Sequence, residues 1–391
     1  MRRLAPLFRT GELGEMTARI REFLKRRKDE GPCLVVDLDV VRENYLAFAK
    51  SLPDSKVFYA VKANPAAQIL TRLATAGSKF DTASRGEIEL VQATGVAMDR
   101  ISFGNTIKKE KDIAWAYQQG VRLFAFDSEA ELQKLSRVAP GARVFCRVLV
   151  DCGGAEWPLS KKFGCAPEMA KDLLRKAKDW GLDAYGISFH VGSQQTDLEQ
   201  WDKALGQVSQ MFFALAEEGV DLRMVNLGGG FPARYRAEVN SIEAYCEAVG
   251  RALVRHFGNR MPEVIIEPGR SMVGDAGVIQ SEVVLVSRKS ANDRKRWVYL
   301  DIGKFSGLAE TMGESIKYRL RTGRDGTRVG PVVLAGPTCD SADILYEKTE
   351  YKMPLSLKPG DKVEILSTGA YTTTYSSVAF NGFAPLKSIC I

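Results

Sequence analysis

The sequence predicts an α/β protein, a (β/α)₈ barrel followed by a smaller, mostly antiparallel β domain, and three observations support this fold class. The chain has 391 residues and is 45% hydrophobic, enough to bury the core of a large barrel with an additional domain. From about residue 30, short apolar runs alternate with longer amphipathic segments, as in repeated strand and helix units. Beyond Gly274, short alternating runs lie between turns, as in antiparallel strands.

Eight short apolar runs are the predicted barrel strands. In chain order they are residues 57–61, 79–81, 101–103, 122–126, 143–149, 184–189, 224–227 and 264–266. Helix-like stretches lie between them, at residues 69–76, 113–118, 129–138, 169–180, 201–216 and 242–257. Eight alternating units over roughly 230 residues agree in number and size with a (β/α)₈ barrel.

The second domain is predicted for residues 273–391. Its strand candidates are residues 278–286, 297–300, 329–334 and 362–365. Turns are expected at Asn292-Asp293, Asp325-Gly326 and Pro359-Gly360. Residues 1–31 are expected to form an N-terminal segment, helical in part, that packs on this C-terminal domain, which leaves residues 32–272 for the barrel.

Composition argues against several classes of function. The 55 basic and 48 acidic residues give a net charge of +7, but they are interleaved, which argues against a nucleic-acid partner. Seven cysteines without CxxC spacing indicate reduced thiols and a cytoplasmic protein. His190 and His256 are the only histidines, so we expect no metal site. No signal-peptide or membrane-spanning apolar run is present, so no membrane partner is expected.

Reactive residue types follow several of the predicted strands. Lys62 comes directly after an apolar strand, where a lysine seldom serves packing, although a lysine at a barrel rim can also extend to solvent. Asp81, His190, Gly228–Gly230 and Glu267 follow later strands in the same way. Because barrel enzymes collect their chemistry at the carboxyl ends of the strands, these residues are candidates for one active site.

Two of these loops suit a phosphate. Three successive glycines, Gly228–Gly230, allow backbone amides to approach an anion closely. The neighbouring loop, Glu267-Pro268-Gly269-Arg270, adds a second turn and a cation. Neighbouring late-strand loops are where barrel enzymes often bind phosphate. The segment Gly303-Lys304-Phe305 lacks the glycine spacing and the Ser or Thr of a Walker loop.

A lysine, a phosphate site and an acid at strand ends are what pyridoxal phosphate requires. Lys62 would form an imine with the cofactor, and Glu267 would keep the pyridine nitrogen protonated. His190 could lie flat on the ring. Structural roles are also open to both residues: Glu267 could form a salt bridge with Arg270, and His190 could be a buried histidine with satisfied hydrogen bonds.

Seven sequence blocks carry a resemblance to a known family. They are FYAVKANP (58–65), FDTASRGEI (80–88), FHVGSQ (189–194), LGGGFP (227–232), EPGRS (267–271), GPTCDSAD (336–343) and GAYT (369–372). Through them the chain resembles the fold-type III, alanine-racemase-like decarboxylases that use pyridoxal phosphate, and most closely the ornithine decarboxylases. The blocks follow in order over nearly the whole chain.

The resemblance implies roles for individual residues. Lys62 would carry the cofactor as an aldimine, Asp81 and Arg147 would flank it, His190 would stack on the ring and Glu267 would pair with the ring nitrogen. The residues implied for the phosphate are Ser193, Gly229, Gly230, Gly269, Arg270 and Tyr371.

The resemblance also implies a C-terminal β-barrel and a head-to-tail homodimer in which each site borrows Cys339 and Asp340 from the partner subunit. Decarboxylation would proceed through a quinonoid intermediate, and Cys339 would then protonate Cα. Outside this motif, a lone cysteine is more often a small buried hydrophobic residue.

Two acids bear on the substrate. Asp340 suits a terminal ammonium group, and Glu314 lies near the place where eukaryotic ornithine decarboxylases have an aspartate after a tyrosine, although Gly313 replaces that tyrosine. The expected reaction is therefore L-ornithine to putrescine and carbon dioxide. Three further functions stay open: a dual lysine/ornithine decarboxylase, a diaminopimelate decarboxylase, and a non-enzymatic binding protein of the antizyme-inhibitor kind.

Overall fold

The computed structural model describes residues 15–150, 153, 155–157 and 162–391. The chain divides into two compact units. The barrel unit comprises Leu38–Pro232 and Val239–Val273, and the second unit comprises the described residues 15–37, Ala233–Glu238 and Gly274–Ile391. Of the predicted N-terminal segment, residues 1–14 lie outside the described part of the chain.

The strands are β1 (Cys33–Val36), β2 (Ser55–Ala60), β3 (Lys79–Thr82), β4 (Ile101–Phe103), β5 (Leu123–Phe126), β6 (Arg143–Arg147), β7 (Ala155–Trp157), β8 (Asp183–Ser188), β9 (Ser193–Gln195), β10 (Met224–Asn226), β11 (Glu263–Ile266), β12 (Gly277–Ser287), β13 (Arg296–Leu300), β14 (Leu320–Thr322), β15 (Val329–Ala335), β16 (Ile344–Pro354), β17 (Lys362–Leu366) and β18 (Lys387–Cys390). The helices are α1 (Ala18–Arg26), α2 (Leu38–Ser51), α3 (Ala67–Ala76), α4 (Arg85–Gln92), α5 (Glu110–Gln119), α6 (Glu129–Val138), α7 (Pro167–Asp179), α8 (Glu199–Glu217), α9 (Ile242–Phe257) and α10 (Arg270–Val273).

The barrel unit is a closed ring of eight parallel strands, in the order β2-β3-β4-β5-β6-β8-β10-β11, with β11 paired to β2. The predicted (β/α)₈ barrel is therefore confirmed. A buried cluster draws one residue from each of six ring strands: Phe58, Ala125, Phe145, Tyr185, Met224 and Ile265. Such side chains fill the ring, so the site has to lie at an end of the barrel and not in its centre.

Local sequence signals explain where the barrel helices begin and end. The hydroxyls of Ser84, Ser128 and Ser241 accept hydrogen bonds from amides in the first turns of α4, α6 and α9. Helices α3 and α5 end at Gly77 and Gly120, which take the left-handed conformation that glycine adopts without strain. The bounds of α3, α5, α6 and α9 lie within a few residues of the predicted ones, whereas α4 was not predicted.

The second unit is an eight-stranded, mostly antiparallel sheet, as predicted. Its main order is β14-β17-β12-β13-β15-β16, and β1 pairs with both β12 and β18. The pairs β13–β15 and β1–β18 are parallel. Residues 33–36 were not predicted as a strand and were included in the barrel domain, but the antiparallel pairing of β1 with β12 places them in this unit. An apolar run of four residues indicates a buried strand without specifying its partner.

Helix α1 belongs to the same unit. Its residues Ile20 and Leu24, with Met16 before it, are buried against Cys33, Val35, Val278 and Leu366. The apolar spacing of four residues between Ile20 and Leu24 puts both side chains on one helix face. Across the described ranges, no helix is both long and apolar enough to cross a membrane.

Candidate active site

Lys62 lies in a tight turn at the carboxyl end of β2. The turn, Val61–Ala63, is a single 3₁₀ turn in which Val61 and Ala63 are buried and Lys62 is exposed. Asn64 closes the turn: its side-chain oxygen accepts a hydrogen bond from the Ala66 amide at 3.2 Å, and its carbonyl accepts one from the Tyr59 hydroxyl at 2.9 Å. The main chain thus holds the lysine at the barrel rim.

Asp81, on the adjacent strand β3, is a buried acid. The hydroxyl of Ser102 donates a hydrogen bond to its Oδ1 at 3.1 Å, and a Cβ at Gly104 would lie 1.9 Å from the same oxygen. Burial raises the pKa of Asp81, while Lys62, the Ser102 hydrogen bond and Arg147 act in the opposite direction. Lys62 is therefore close enough to this acid to stabilise its charge.

Arg147 ends strand β6. Burial lowers the pKa of its guanidinium, and the acids Glu267, Asp127 and Asp81 oppose that shift. The guanidinium also lies 5.2 Å from the centre of the Phe163 ring, a cation–π distance. The arginine thus adds positive charge near Asp81 on β3 and Glu267 after β11.

His190 follows strand β8 and is neutral. Its Nδ1 accepts a hydrogen bond from the Gly192 amide at 2.9 Å, which assigns any ring proton to Nε2. Burial lowers its pKa well below the usual value, and the charges of Arg147 and Lys62 lower it further. A neutral imidazole can stack on an aromatic ring without placing a second cation beside Lys62.

Glu267 follows strand β11 and is held by a neighbouring asparagine. The Asn226 Nδ2 donates to Glu267 Oε1, and the Asn226 Oδ1 accepts a hydrogen bond from the Gly228 amide at 2.9 Å. Burial and then the charge of Asp81 raise the pKa of Glu267 to about 7, although Asn226, Lys62 and Arg147 lower it. Perturbed pKa values of this kind concentrate at functional sites.

The glycine loop after β10 has no room for side chains. A Cβ would lie 2.3 Å from the Phe189 carbonyl oxygen at Gly228, and 2.5 Å from the Gly192 carbonyl oxygen at Gly230. Gly228 and Gly230 also have positive φ values of +63° and +96°. At Gly229 a Cβ would lie 2.7 Å from the Glu267 carbonyl oxygen.

A cation and a hydroxyl stand at the neighbouring loops. The Arg270 guanidinium donates a hydrogen bond to Ser193 Oγ at 3.2 Å, and Arg270 is buried at the start of α10, directly after Gly269. The structure thus brings together in the barrel unit the predicted residues Lys62, Asp81, Arg147, His190, Ser193, Gly229, Gly230, Glu267, Gly269 and Arg270.

The remaining predicted residues lie in the second unit. Cys339 is exposed, and its amide donates to Asn381 Oδ1 at 2.9 Å. Asp340 Oδ1 accepts a hydrogen bond from the Ala342 amide at 2.8 Å. Tyr371 has φ +54°, which is uncommon for a residue with a side chain and marks a constrained backbone.

The loop that carries Cys339 and Asp340 is organised by Asp343. This carboxylate is 2% exposed and accepts hydrogen bonds from the amides of Lys304 at 2.7 Å and Thr338 at 3.1 Å, and from the Thr338 hydroxyl at 2.7 Å. A Cβ at Gly303 or Gly336 would lie 2.2 or 2.3 Å from an oxygen of this carboxylate. The Asp343 carboxylate therefore holds the loop that carries Cys339 and Asp340 through these hydrogen bonds.

Glu314 has a structural position. Its carboxylate accepts hydrogen bonds from the amides of Glu347 and Lys348, both at 2.8 Å, and from the amide of Thr349 at 2.6 Å. Burial alone would raise the pKa of Glu314, but these hydrogen bonds outweigh burial and lower it to about 2. These hydrogen bonds hold Glu314 against strand β16, and its expected contact with the substrate ammonium stays a prediction.

Comparison with known proteins identifies the family. Residues 38–274 match the family model described as "Pyridoxal-dependent decarboxylase, pyridoxal binding domain". The chain belongs to this decarboxylase family.

Individual relatives cover nearly the whole chain. The chain is 37% identical to a lysine/ornithine decarboxylase of Selenomonas ruminantium, over 90% of this chain and 87% of that protein. It is 33% identical to antizyme inhibitor 2 of Xenopus laevis, over 92% and 81% of the two chains. A lysine/ornithine decarboxylase from Vibrio vulnificus, complexed with cadaverine, superposes with a TM-score of 0.86 at 30% identity, over 96% and 100% of the chains.

The barrel residues of this decarboxylase fit pyridoxal phosphate, its cofactor. The loop Gly228–Gly230 is a backbone cradle that any Cβ would fill, and Arg270 and Ser193 stand ready for a phosphate. Glu267 would supply an acceptor for a protonated ring nitrogen, and Lys62 would supply the amine that binds the aldehyde.

Three residues that hold predicted site residues in place were not singled out from the sequence: Ser102 and Asn226 in the barrel unit, and Asp343 in the second unit. Asn226 and Ser102 lie at or near the ends of ring strands, where the rule that found Lys62 also applies. Asp343 lies inside the block GPTCDSAD. Their roles depend on which groups the fold places beside them, and the chain order does not reveal those partners.

Proposed function

We propose that the chain decarboxylates L-ornithine to putrescine and carbon dioxide. The observation that carries this proposal is the arrangement of Glu267, neutral His190 and Lys62 around one rim of the barrel, beside a glycine cradle. Pyridoxal phosphate, when bound, supplies the electron sink for the pair of electrons left by the departing carboxylate.

Each residue of the predicted cofactor site has a proposed task. Lys62 holds the cofactor covalently, and Asp81 keeps the lysine positioned through its opposite charge. His190, neutral and oriented by the Gly192 amide, packs against the cofactor ring. The phosphate is bound by Ser193, Gly229, Gly230, Gly269, Arg270 and Tyr371.

We propose that the active protein is a homodimer in which the partner subunit lends Cys339 and Asp340. Cys339 then delivers a proton to Cα, and Asp340 pairs with the distal ammonium of the substrate. The segment that fixes Cys339 through Asn381 exposes three large apolar side chains, Val378 at 80%, Phe380 at 38% and Phe383 at 40%. Exposed apolar patches of this kind favour a protein interface.

A second candidate function is dual lysine/ornithine decarboxylation. With Glu314 bound to the amides of β16, Asp340 is the remaining proposed acid for the distal ammonium. A single acid distinguishes weakly between chains that differ by one methylene, which is worth about 1–3 kcal/mol. The Selenomonas relative bears the name of both substrates.

Diaminopimelate decarboxylation and a purely binding function have less support. Diaminopimelate would require a cation for its distal carboxylate, whereas the proposed distal residue, Asp340, is an acid. A binding protein of the antizyme-inhibitor kind does not need the catalytic set, and this chain keeps Lys62, Glu267 and Cys339. The free cysteines of the described residues suit a cytoplasmic location, which we also propose.

Product identification tests the proposal. Purified protein loaded with pyridoxal phosphate is incubated separately with L-ornithine, L-lysine and meso-diaminopimelate, and the products are identified by mass spectrometry. Putrescine as the dominant product supports the proposal, and comparable cadaverine supports the dual function. Lysine from diaminopimelate would overturn the role of Asp340, and no product would favour a binding protein.

A further inference from the structure

Asn226 is a buried polar residue at the rim of the barrel. It ends β10, is 1% exposed, and pairs with Ser188 of β8 on one side and Ile265 of β11 on the other. Its backbone is therefore fixed by two neighbouring strands. Its side chain contacts the two loops that follow β10 and β11, at Gly228 and at Glu267.

The chemistry of these two contacts fixes the orientation of the amide. The Gly228 N–H can only donate, so it must face the Asn226 oxygen, which leaves the Asn226 NH₂ group to face Glu267. Glu267 Oε1 must then act as an acceptor. Any proton of the Glu267 carboxyl is thus confined to Oε2, and Oε2 is the oxygen that remains for a further partner.

We propose that Asn226 is a positioning residue: it selects Oε2 of Glu267 for the ring nitrogen of pyridoxal phosphate and ties that carboxylate to the glycine loop that receives the phosphate. This inference rests on the proposed role of Glu267. It adds a residue that acts through its hydrogen bonds with Glu267 and Gly228.

The expected effect follows from the loss of a hydrogen bond to a charged acceptor. In Asn226→Leu, a variant of similar size, Oε1 and the Gly228 amide both lose their partner inside the protein. A buried hydrogen bond to a charged group corresponds to roughly a tenfold to hundredfold change in an equilibrium constant. We therefore expect cofactor binding to weaken by roughly that factor and kcat to fall with it.

The primary measurement is the dissociation constant of pyridoxal phosphate from the apoprotein, followed by tryptophan fluorescence. The matched control is Asn44→Leu, which removes another buried asparagine of the barrel unit whose Nδ2 donates to the Met272 carbonyl at 3.1 Å. This control should change cofactor affinity by no more than about twofold, within the ordinary scatter of independent sites.

A double-mutant cycle tests whether Asn226 acts through Glu267 or whether its replacement causes a general loss of structure. In a Glu267→Ala background, Asn226→Leu should retain only the smaller loss that passes through Gly228. The full loss in both backgrounds would overturn the inference. Wild-type protein that bound no pyridoxal phosphate would instead overturn the proposed role of Glu267.

Asn226→Asp is a second variant, which keeps the acceptor for Gly228 and replaces the donor to Glu267 with another carboxylate oxygen. Two carboxylates in contact share a proton, so Glu267 should lose its proton at a higher pH than in the wild type. In the pH profile of cofactor affinity, the acidic limb should then move to higher pH in Asn226→Asp and remain unchanged in Asn44→Leu. An unchanged limb in Asn226→Asp would count against the inference.

Discussion

Glu314 allows a sharp test between a structural role and a role in substrate binding. Glu314→Ala removes the acceptor for three backbone amides, whose hydrogen bonds measure 2.6 to 2.8 Å. Hydrogen bonds to charged groups are worth about 1.5–3 kcal/mol each when buried, but water reaches the amides of Glu347 and Lys348. We therefore expect a loss of about 2–3 kcal/mol for the whole cluster.

Differential scanning calorimetry measures this loss. At about 2–4 °C per kcal/mol for a unit of this size, Glu314→Ala should melt about 4–12 °C below the wild type at pH 7. Glu314→Gln keeps one acceptor oxygen and should lose about half as much. Position 314 has φ +56°, so Ala and Gln carry the same backbone strain there as Glu. The difference in melting temperature therefore measures the loss of the carboxylate.

The pH dependence gives a second check with a defined sign. The folded pKa of Glu314 is about 2, below the usual value of 4.5, so its stabilisation is complete above pH 4.5 and is lost as the pH falls towards 2. The difference between wild type and Glu314→Gln should therefore close within that window. The control Glu350→Ala, in strand β16, removes an exposed glutamate and should not change the melting temperature.

The substrate assay decides the matter. If Glu314 has the structural role, KM for L-ornithine stays within about twofold of the wild-type value in Glu314→Gln at a temperature where both proteins are folded. Unchanged melting together with a KM raised tenfold or more would refute the reasoning and return Glu314 to the substrate site.

Three further predictions concern the barrel unit. Lys62→Ala should abolish both the visible absorbance of bound cofactor and turnover, and a variant that keeps both would disprove the assignment. In Gly230→Ala, the backbone has φ +96° and the new Cβ lies 2.5 Å from a carbonyl oxygen, so cofactor affinity should fall at least tenfold. The control Gly181→Ala has a similar φ of +75° but no atom near its Cβ, and it should leave cofactor affinity unchanged. Burial lowers the pKa of Lys108 to about 8, although its ion pair with Glu131 raises the pKa. Glu131→Gln should therefore cost about 3 kcal/mol at pH 7 in chemical unfolding, and the loss should shrink above pH 8 as the lysine becomes neutral.

The sequence was most informative where burial imposes a simple pattern. Parallel barrel strands are apolar on both faces, so they stand out as continuous runs, and all eight were found. Strand β16 was missed because its segment, ILYEKTEYKMP, interrupts the apolar pattern with charged residues. Strand β6 ends at Arg147, two residues early, because the chain at Val148 pairs with Cys165 instead.

The candidate site shows the same division. Lys62, His190 and Glu267 could be proposed because a reactive residue type directly after an apolar strand is unusual. Asn226 could not be interpreted in this way, since its importance lies in the groups that its side chain joins. The structural contacts of Glu314 could not be predicted either, because a position near a family residue does not reveal that three amides bind its carboxylate.

The contact between Asp343 and two glycines has a consequence for altering substrate choice by directed evolution. Cys339 and Asp340 stand on a loop whose anchor leaves no space for a methyl group at Gly303 or Gly336. Libraries that randomise the whole segment 336–343 would consist mostly of clones with a displaced loop. Fixing Gly303, Gly336 and Asp343, together with Thr338, which donates to Asp343, and the proposed proton donor Cys339, leaves Pro337, Asp340, Ser341 and Ala342 as positions where diversity can be screened on an intact scaffold.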